Sequence, residues 1–131
     1  MIIGLDGTLF HDGEPIPNTA VFLNMLIKKT GVEIVYLSGR YTCLMKVTKR
    51  ALEKHGYPHG RIVLRKKGEE TLDFKLHELS KLRENFEIKA FITDELKELK
   101  ISNLLCIPSV KVERNDEWGV NVRKRILRLS L

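Results

Sequence analysis

Two hydrophobic rhythms take turns along this chain, a short apolar run and then a helical stripe. Ile2 to Leu5 is an apolar run that predicts a first strand, and it breaks at Asp6-Gly7-Thr8. His11 to Pro17 is polar, carries Asp12-Gly13, Pro15 and Pro17, and reads as a loop. From Ala20 to Lys29 the apolar residues Val21, Phe22, Met25 and Leu26 recur at helical spacing. Asn18 or Thr19 stands where a cap belongs, and Thr30-Gly31 stands at the exit. Val32 to Leu37 is β-rich and predicts a second strand, ending at Ser38-Gly39-Arg40. A helix follows from Tyr41 to Lys54, closed by His55-Gly56-Tyr57-Pro58.

Arg61 to Leu64 is a shorter third strand, and Arg65 to Thr71 is a charged loop around Gly68. Asp73 to Phe86 is a helix expected to turn Phe74, Leu76, Leu79 and Leu82 inward. Ile88 to Thr93 is a fourth strand ending at Asp94-Glu95. Leu96 to Ile101 predicts one or two helical turns, and Leu104 to Ile107 and Val110 to Val112 are strand candidates around Pro108. After a polar loop from Arg114 to Gly119, Val120 to Leu129 is a basic helix or an irregular tail. Strands alternating with helices predict an α/β fold of three layers, a mostly parallel sheet with helices on both faces. Right-handed crossovers gather strand ends on one edge. Asp6, Ser38 and Asp94, each at the end of a predicted strand, would meet there.

Composition narrows the class. With 131 residues, 43% hydrophobic and 31% charged, the chain fits one globular domain over 1–131. No apolar run approaches the ~20 residues of a membrane span, so no membrane partner is expected. The first residues lack the pattern of a secretory signal, and a cytoplasmic location is the default expectation. Cys43 and Cys106 lie far apart without metal-ligand spacing and are expected to be reduced and largely buried. The four histidines form no zinc pattern. The net charge of +6 changes the picture more: it favours an anionic partner such as phosphate or nucleic acid, or else a generally charged surface, since bases and acids are interleaved.

Each strand end carries chemistry and also a plainer structural reading. Asp6 can hold a hard cation or shuttle a proton, or stabilise its own Asp-Gly turn. Ser38, with Gly39 allowing close backbone approach and a helix N-terminus following, can hold an anion or cap that helix. Lys75, Lys66 and Lys67 can neutralise a phosphate or lie in solvent. Asp94 and Glu95 can ligate magnesium, or Asp94 can cap the helix at Leu96.

In this order, Gly4-Leu5-Asp6-Gly7-Thr8-Leu9, then Ser38-Gly39-Arg40, then Lys75, then Asp94-Glu95 resemble the motifs of haloacid dehalogenase-like phosphohydrolases. The resemblance implies a Rossmann-like frame without a large cap and a Mg²⁺-dependent phosphatase site. It implies Asp6 as general acid and base and Lys75 as the charge-neutralising residue. Thr8, Ser38, Gly39 and Arg40 would lie around the phosphate, with Asp94 and Glu95 at the metal. The run from Arg65 to Lys75 resembles the matching region of polynucleotide 3′-phosphatase domains, with an Asp-to-Lys spacing one residue shorter.

One position departs. The family's nucleophilic Asp is Gly4 here, which can neither attack phosphorus nor ligate a metal. The expectation is a phosphate- and Mg²⁺-binding cleft impaired or inactive by the aspartyl-phosphate route. The alternative is an active Mg²⁺-dependent phosphomonoesterase on a nucleic-acid end or another large substrate. The ligands in view are a phosphorylated small molecule, a nucleic-acid end or a phosphoprotein; the sequence does not set an oligomeric state.

Overall fold

The computed structural model describes residues 1–131. Its main sheet has five parallel strands: β1 (Ile2–Ile3), β4 (Val35–Tyr41), β5 (Arg61–Arg65), β6 (Phe91–Thr93) and β7 (Ser109–Lys111). They lie in the order β5-β4-β1-β6-β7. Ile2 pairs with Val35 on one side and Phe91 on the other, so β1 is the central strand. A hairpin of β2 (Phe10–His11) and β3 (Glu14–Pro15) stands apart from this sheet.

Alternation of side chains about β1 explains the layers. Ile3 faces the larger apolar cluster, with Phe22, Leu23 and Leu26 of α1 (Thr19–Thr30), Leu52 of α2 (Met45–Lys54) and Ile126 of α5 (Val120–Ser130). Ile2 faces the other cluster, with Phe74, Leu79 and Leu82 of α3 (Thr71–Asn85) and Ile101 of α4 (Leu96–Leu104). These are the three expected layers. No helix is long and apolar enough to cross a membrane.

Several local expectations are corrected. The loop from His11 to Pro17 contains the hairpin: Asp12 (φ 51°) and Gly13 (φ 79°) make a two-residue turn with both φ positive, which suits the twist of paired strands. The second strand starts and ends later than its hydrophobic run and takes in Ser38-Gly39-Arg40. A 3₁₀ turn over Thr42–Leu44 precedes α2. Asn18 adopts the left-handed region and makes no cap hydrogen bond; its amide reaches Glu117. Val21, Met25 and Leu76 are exposed, because the inward stripes run through Phe22, Leu23 and Leu26 on α1 and through Phe74, Leu79 and Leu82 on α3. Leu104–Ile107 forms no strand, since α4 runs to Leu104 and turns at Cys106. Cys43 and Cys106 are exposed, not buried: one lies in the 3₁₀ turn, the other at a positive-φ residue.

Candidate active site

The site is built where the strands end. After β1, Gly4 keeps the ladder by donating to the Ile92 carbonyl at 3.0 Å. The chain then tightens, with the amides of Thr8, Leu9 and Phe10 all donating to the Leu5 carbonyl. Gly7 closes the turn at φ +85°, and a Cβ there would overlap the Asp94 carboxylate, so both backbone and space demand glycine. Gly4 differs: its φ lies outside the left-handed region, and a Cβ would meet Thr8 Oγ1 at 3.3 Å, a close contact but not a blocked one.

Thr8 is fully buried and ties two strand ends together: its hydroxyl donates to Asp94 Oδ1 at 2.8 Å. Its carbonyl accepts from Trp118 Nε1 at 3.1 Å, which places the only tryptophan in the core, edge-on to Phe22 and against the turn. Asp6, with 58% of its side chain exposed, accepts two hydrogen bonds from Arg40, Nε to Oδ2 at 2.8 Å and Nη2 to Oδ1 at 2.6 Å. Arg40 also donates to the buried Thr48 hydroxyl at 3.2 Å. Its bond to Asp6 holds the guanidinium protonated beyond its usual range.

Ser38 is buried in β4, and its Oγ accepts from the Arg40 amide at 3.1 Å, leaving its own proton for an anion. Gly39 packs against Thr71, and its carbonyl accepts from Arg65 Nε at 3.0 Å. Lys75 points inward from α3 to a buried ion pair with Glu98, Nζ to Oε1 at 2.9 Å. The Thr93 hydroxyl donates to the same oxygen at 3.2 Å and accepts from the Glu95 amide at 3.1 Å. Sequence reasoning missed Glu98. Its one available signal is its position four residues before Ser102 on α4, both buried on one face; two polar residues leave no trace in a hydrophobic stripe.

Magnesium needs hard oxygen donors, and one or two carboxylates with water and phosphate suffice. Asp94 Oδ2 is buried without a hydrogen-bond donor, the kind of oxygen a cation relieves. Glu95 is next in the chain, and Arg114, also missed from the sequence, reaches toward both: Nε lies 3.8 Å from Asp94 Oδ2 and Nη1 3.3 Å from Glu95 Oε1. The pair fits a weakly held cation, with a guanidinium competing for the same oxygens. No group of three or more acidic, histidine or cysteine side chains converges there.

The Thr8 hydroxyl joins the turn after β1 to Asp94 after β6, and Arg40 joins Asp6 to β4, the strand that carries Ser38. Residues 11–130 match the family described as HAD superfamily, subfamily IIIB (acid phosphatase). The chain belongs to this family. The matched region begins beyond the Gly4–Leu9 turn. Among solved structures, this HAD chain is similar to one described as "Structure of Pnkp1/Rnl/Hen1 complex", at TM-score 0.71 and 23% identity over 88% of this chain and 46% of that one. It is also similar to "Structure of the Pnkp1/Rnl/Hen1 RNA repair complex", at TM-score 0.69 and 22% identity over 88% of this chain and 42% of that one. Both likenesses establish the fold, and the HAD chain spans less than half the length of either structure. No curated relative matches it.

Proposed function

We propose that this HAD-family chain is a phosphate-recognition domain that binds the phosphorylated end of a nucleic acid without turning it over through an aspartyl-phosphate. The observation that carries the reading is Gly4. By the motif resemblance, Gly4 stands where the family's attacking carboxylate would be, and it has no side chain. The backbone there does not require glycine, and a Cβ would meet Thr8 Oγ1 at 3.3 Å, close but not blocked. Loss of a catalytic nucleophile costs several orders of magnitude in rate.

The remaining groups suit holding an anion. The Ser38 hydroxyl and the Gly39-Arg40 turn would bind phosphoryl oxygens, with Thr8 shaping the floor. Lys75 contributes positive charge from below, offset by Glu98. Asp6, in the general acid and base position, orients Arg40. Asp94 and Glu95 would hold Mg²⁺, which when bound would offset phosphate charge. The net charge of +6 favours a polyanionic ligand over a small phosphorylated molecule or a phosphoprotein. The RNA repair assembly named for a similar structure makes a nucleic-acid end the first ligand to try.

The test compares the unmodified chain with Gly4→Asp on p-nitrophenyl phosphate and on a 3′-phosphorylated oligonucleotide, with Mg²⁺ or with EDTA. Binding is followed by the fluorescence of Trp118, whose indole is bonded to the turn. The unmodified chain is expected to bind the oligonucleotide and release no phosphate, and Gly4→Asp to gain EDTA-sensitive release. EDTA-sensitive release by the unmodified chain would establish the phosphomonoesterase alternative instead.

A further inference from the structure

One exposed aromatic residue stands beside the phosphate turn. Tyr41 is the last residue of β4, three positions after Ser38, and is 40% exposed. Across the strand pair it faces Arg65, the last residue of β5, after an irregularity in the ladder between Ser38 and Tyr41. The Arg65 guanidinium carbon lies 4.5 Å from the Tyr41 ring centroid. Two backbone carbonyls fix that guanidinium: Gly39 accepts from Nε at 3.0 Å and Glu69 from Nη1 at 2.8 Å. The Gly39 bond ties it directly to the turn that would hold the phosphate.

We propose that Tyr41 and Arg65 form a stacking platform for the terminal nucleobase of a nucleic-acid end whose phosphate lies at the Ser38-Gly39-Arg40 segment of β4. The proposal rests on the phosphate-recognition reading above and names what lies next to the phosphate. An aromatic ring or a guanidinium plane offers a base a flat, sequence-tolerant surface. Here the two are already stacked and the guanidinium is already anchored, so little side-chain freedom is lost on binding. Three residues of strand span at most about 10 Å, so the platform lies on the same stretch of backbone as Ser38.

The surrounding charge suits the sugar-phosphate chain. Lys66 and Lys67, the next two residues, are exposed and form no ion pair. Of the two acids that follow, Glu70 is turned to the start of α3, where its carboxylate accepts from the Asp73 amide at 2.8 Å. Arg65 sits on the edge strand β5 and Tyr41 on its neighbour β4, so a chain can leave on the β5 side without crossing the sheet.

The test measures equilibrium binding of three probes to the unmodified chain, Tyr41→Ala and Tyr41→Phe. The probes are a 3′-phosphorylated oligonucleotide, the same oligonucleotide with an abasic 3′-terminal residue, and inorganic phosphate. Tyr41→Ala is expected to weaken the first about tenfold and leave the other two unchanged, while Tyr41→Phe binds all three as the unmodified chain does. Equal affinity of Tyr41→Ala and the unmodified chain for the base-bearing probe would overturn the platform. So would an equal loss for the abasic probe, which would mark a structural effect. Binding of inorganic phosphate but of neither oligonucleotide would overturn the platform and the nucleic-acid end as ligand, and leave phosphate recognition standing. Binding of none of the three would overturn the phosphate-recognition reading and the platform with it.

Discussion

Lys75 and Glu98 form a buried ion pair that links α3 to α4, with Nζ 2.9 Å from Oε1 and both side chains less than one tenth exposed. Removing one partner strands the other charge away from water. Glu98→Ala is therefore expected to cost about 3–5 kcal/mol in urea unfolding. The double variant Lys75→Met with Glu98→Leu should recover most of that loss, because apolar residues of similar volume commonly replace a buried pair at little cost. A double variant as unstable as Glu98→Ala would show that the loss comes from packing.

Arg114 reaches toward the oxygens proposed for a cation, 3.3 Å from Glu95 Oε1 and 3.8 Å from Asp94 Oδ2. Arg114→Gln should strengthen the response to Mg²⁺, giving a larger rise in melting temperature on adding MgCl₂ than the unmodified chain shows, reversed by EDTA. Asp94→Asn should abolish the rise in either background. An Arg114→Gln chain that responds no more than the unmodified one would remove the guanidinium as a competitor.

The two glycines of the first turn should behave oppositely. Gly7→Ala combines a positive φ with overlap against Asp94 and is expected to destabilise by about 2 kcal/mol or more. Gly4→Ala meets Thr8 Oγ1 at 3.3 Å and otherwise makes only ordinary contacts at 3.8 Å, and should cost about 1 kcal/mol or less. Thermal or urea unfolding of the two variants side by side decides the comparison.

Tyr36 and Tyr57 set an alkaline limit. Burial raises both phenol pKa values, the Tyr57 anion adding to the effect at Tyr36 and a hydrogen bond with Thr19 opposing it at Tyr57. A raised pKa in the folded state gives stability that is complete below the unfolded value near 10 and is lost as pH climbs through the folded values. Unfolding free energy should therefore fall above about pH 10. Tyr36→Phe should flatten that fall while lowering stability at neutral pH, since the hydroxyl donates to the Pro58 carbonyl at 2.6 Å.

The sheet was legible because its strands alternate with helices, and the candidate site was proposed from Asp6, Ser38 and Asp94 because each follows a β-rich run. What escaped was polar or geometric. Glu98 and Lys75 face each other inside, where periodicity read Lys75's neighbour Leu76 as the inward residue. Arg65 looked like the start of a solvated charge run, since nothing local announces its two carbonyl partners. Arg114 lies in a loop whose place over Asp94 depends on a tertiary bond, Asn115 N to Gly7 O at 2.8 Å. The hairpin over Phe10–Pro15 was within reach, because Asp12-Gly13 is a hairpin signal and was read only as a break.

The central strand has consequences for how the chain reaches its native state. Ile2 finds one neighbour at Val35 and the other at Phe91, so the middle of the sheet cannot close until most of the intervening chain is in hand. Pairing over such separations carries the loop-closure cost that slows folding. Asp6 and Asp94 flank that seam, so their approach depends on the same long-range pairing. Amide exchange at Ile2 and Gly4 should report the same opening free energy as the binding cleft, making ligand affinity and sheet closure a single cooperative unit.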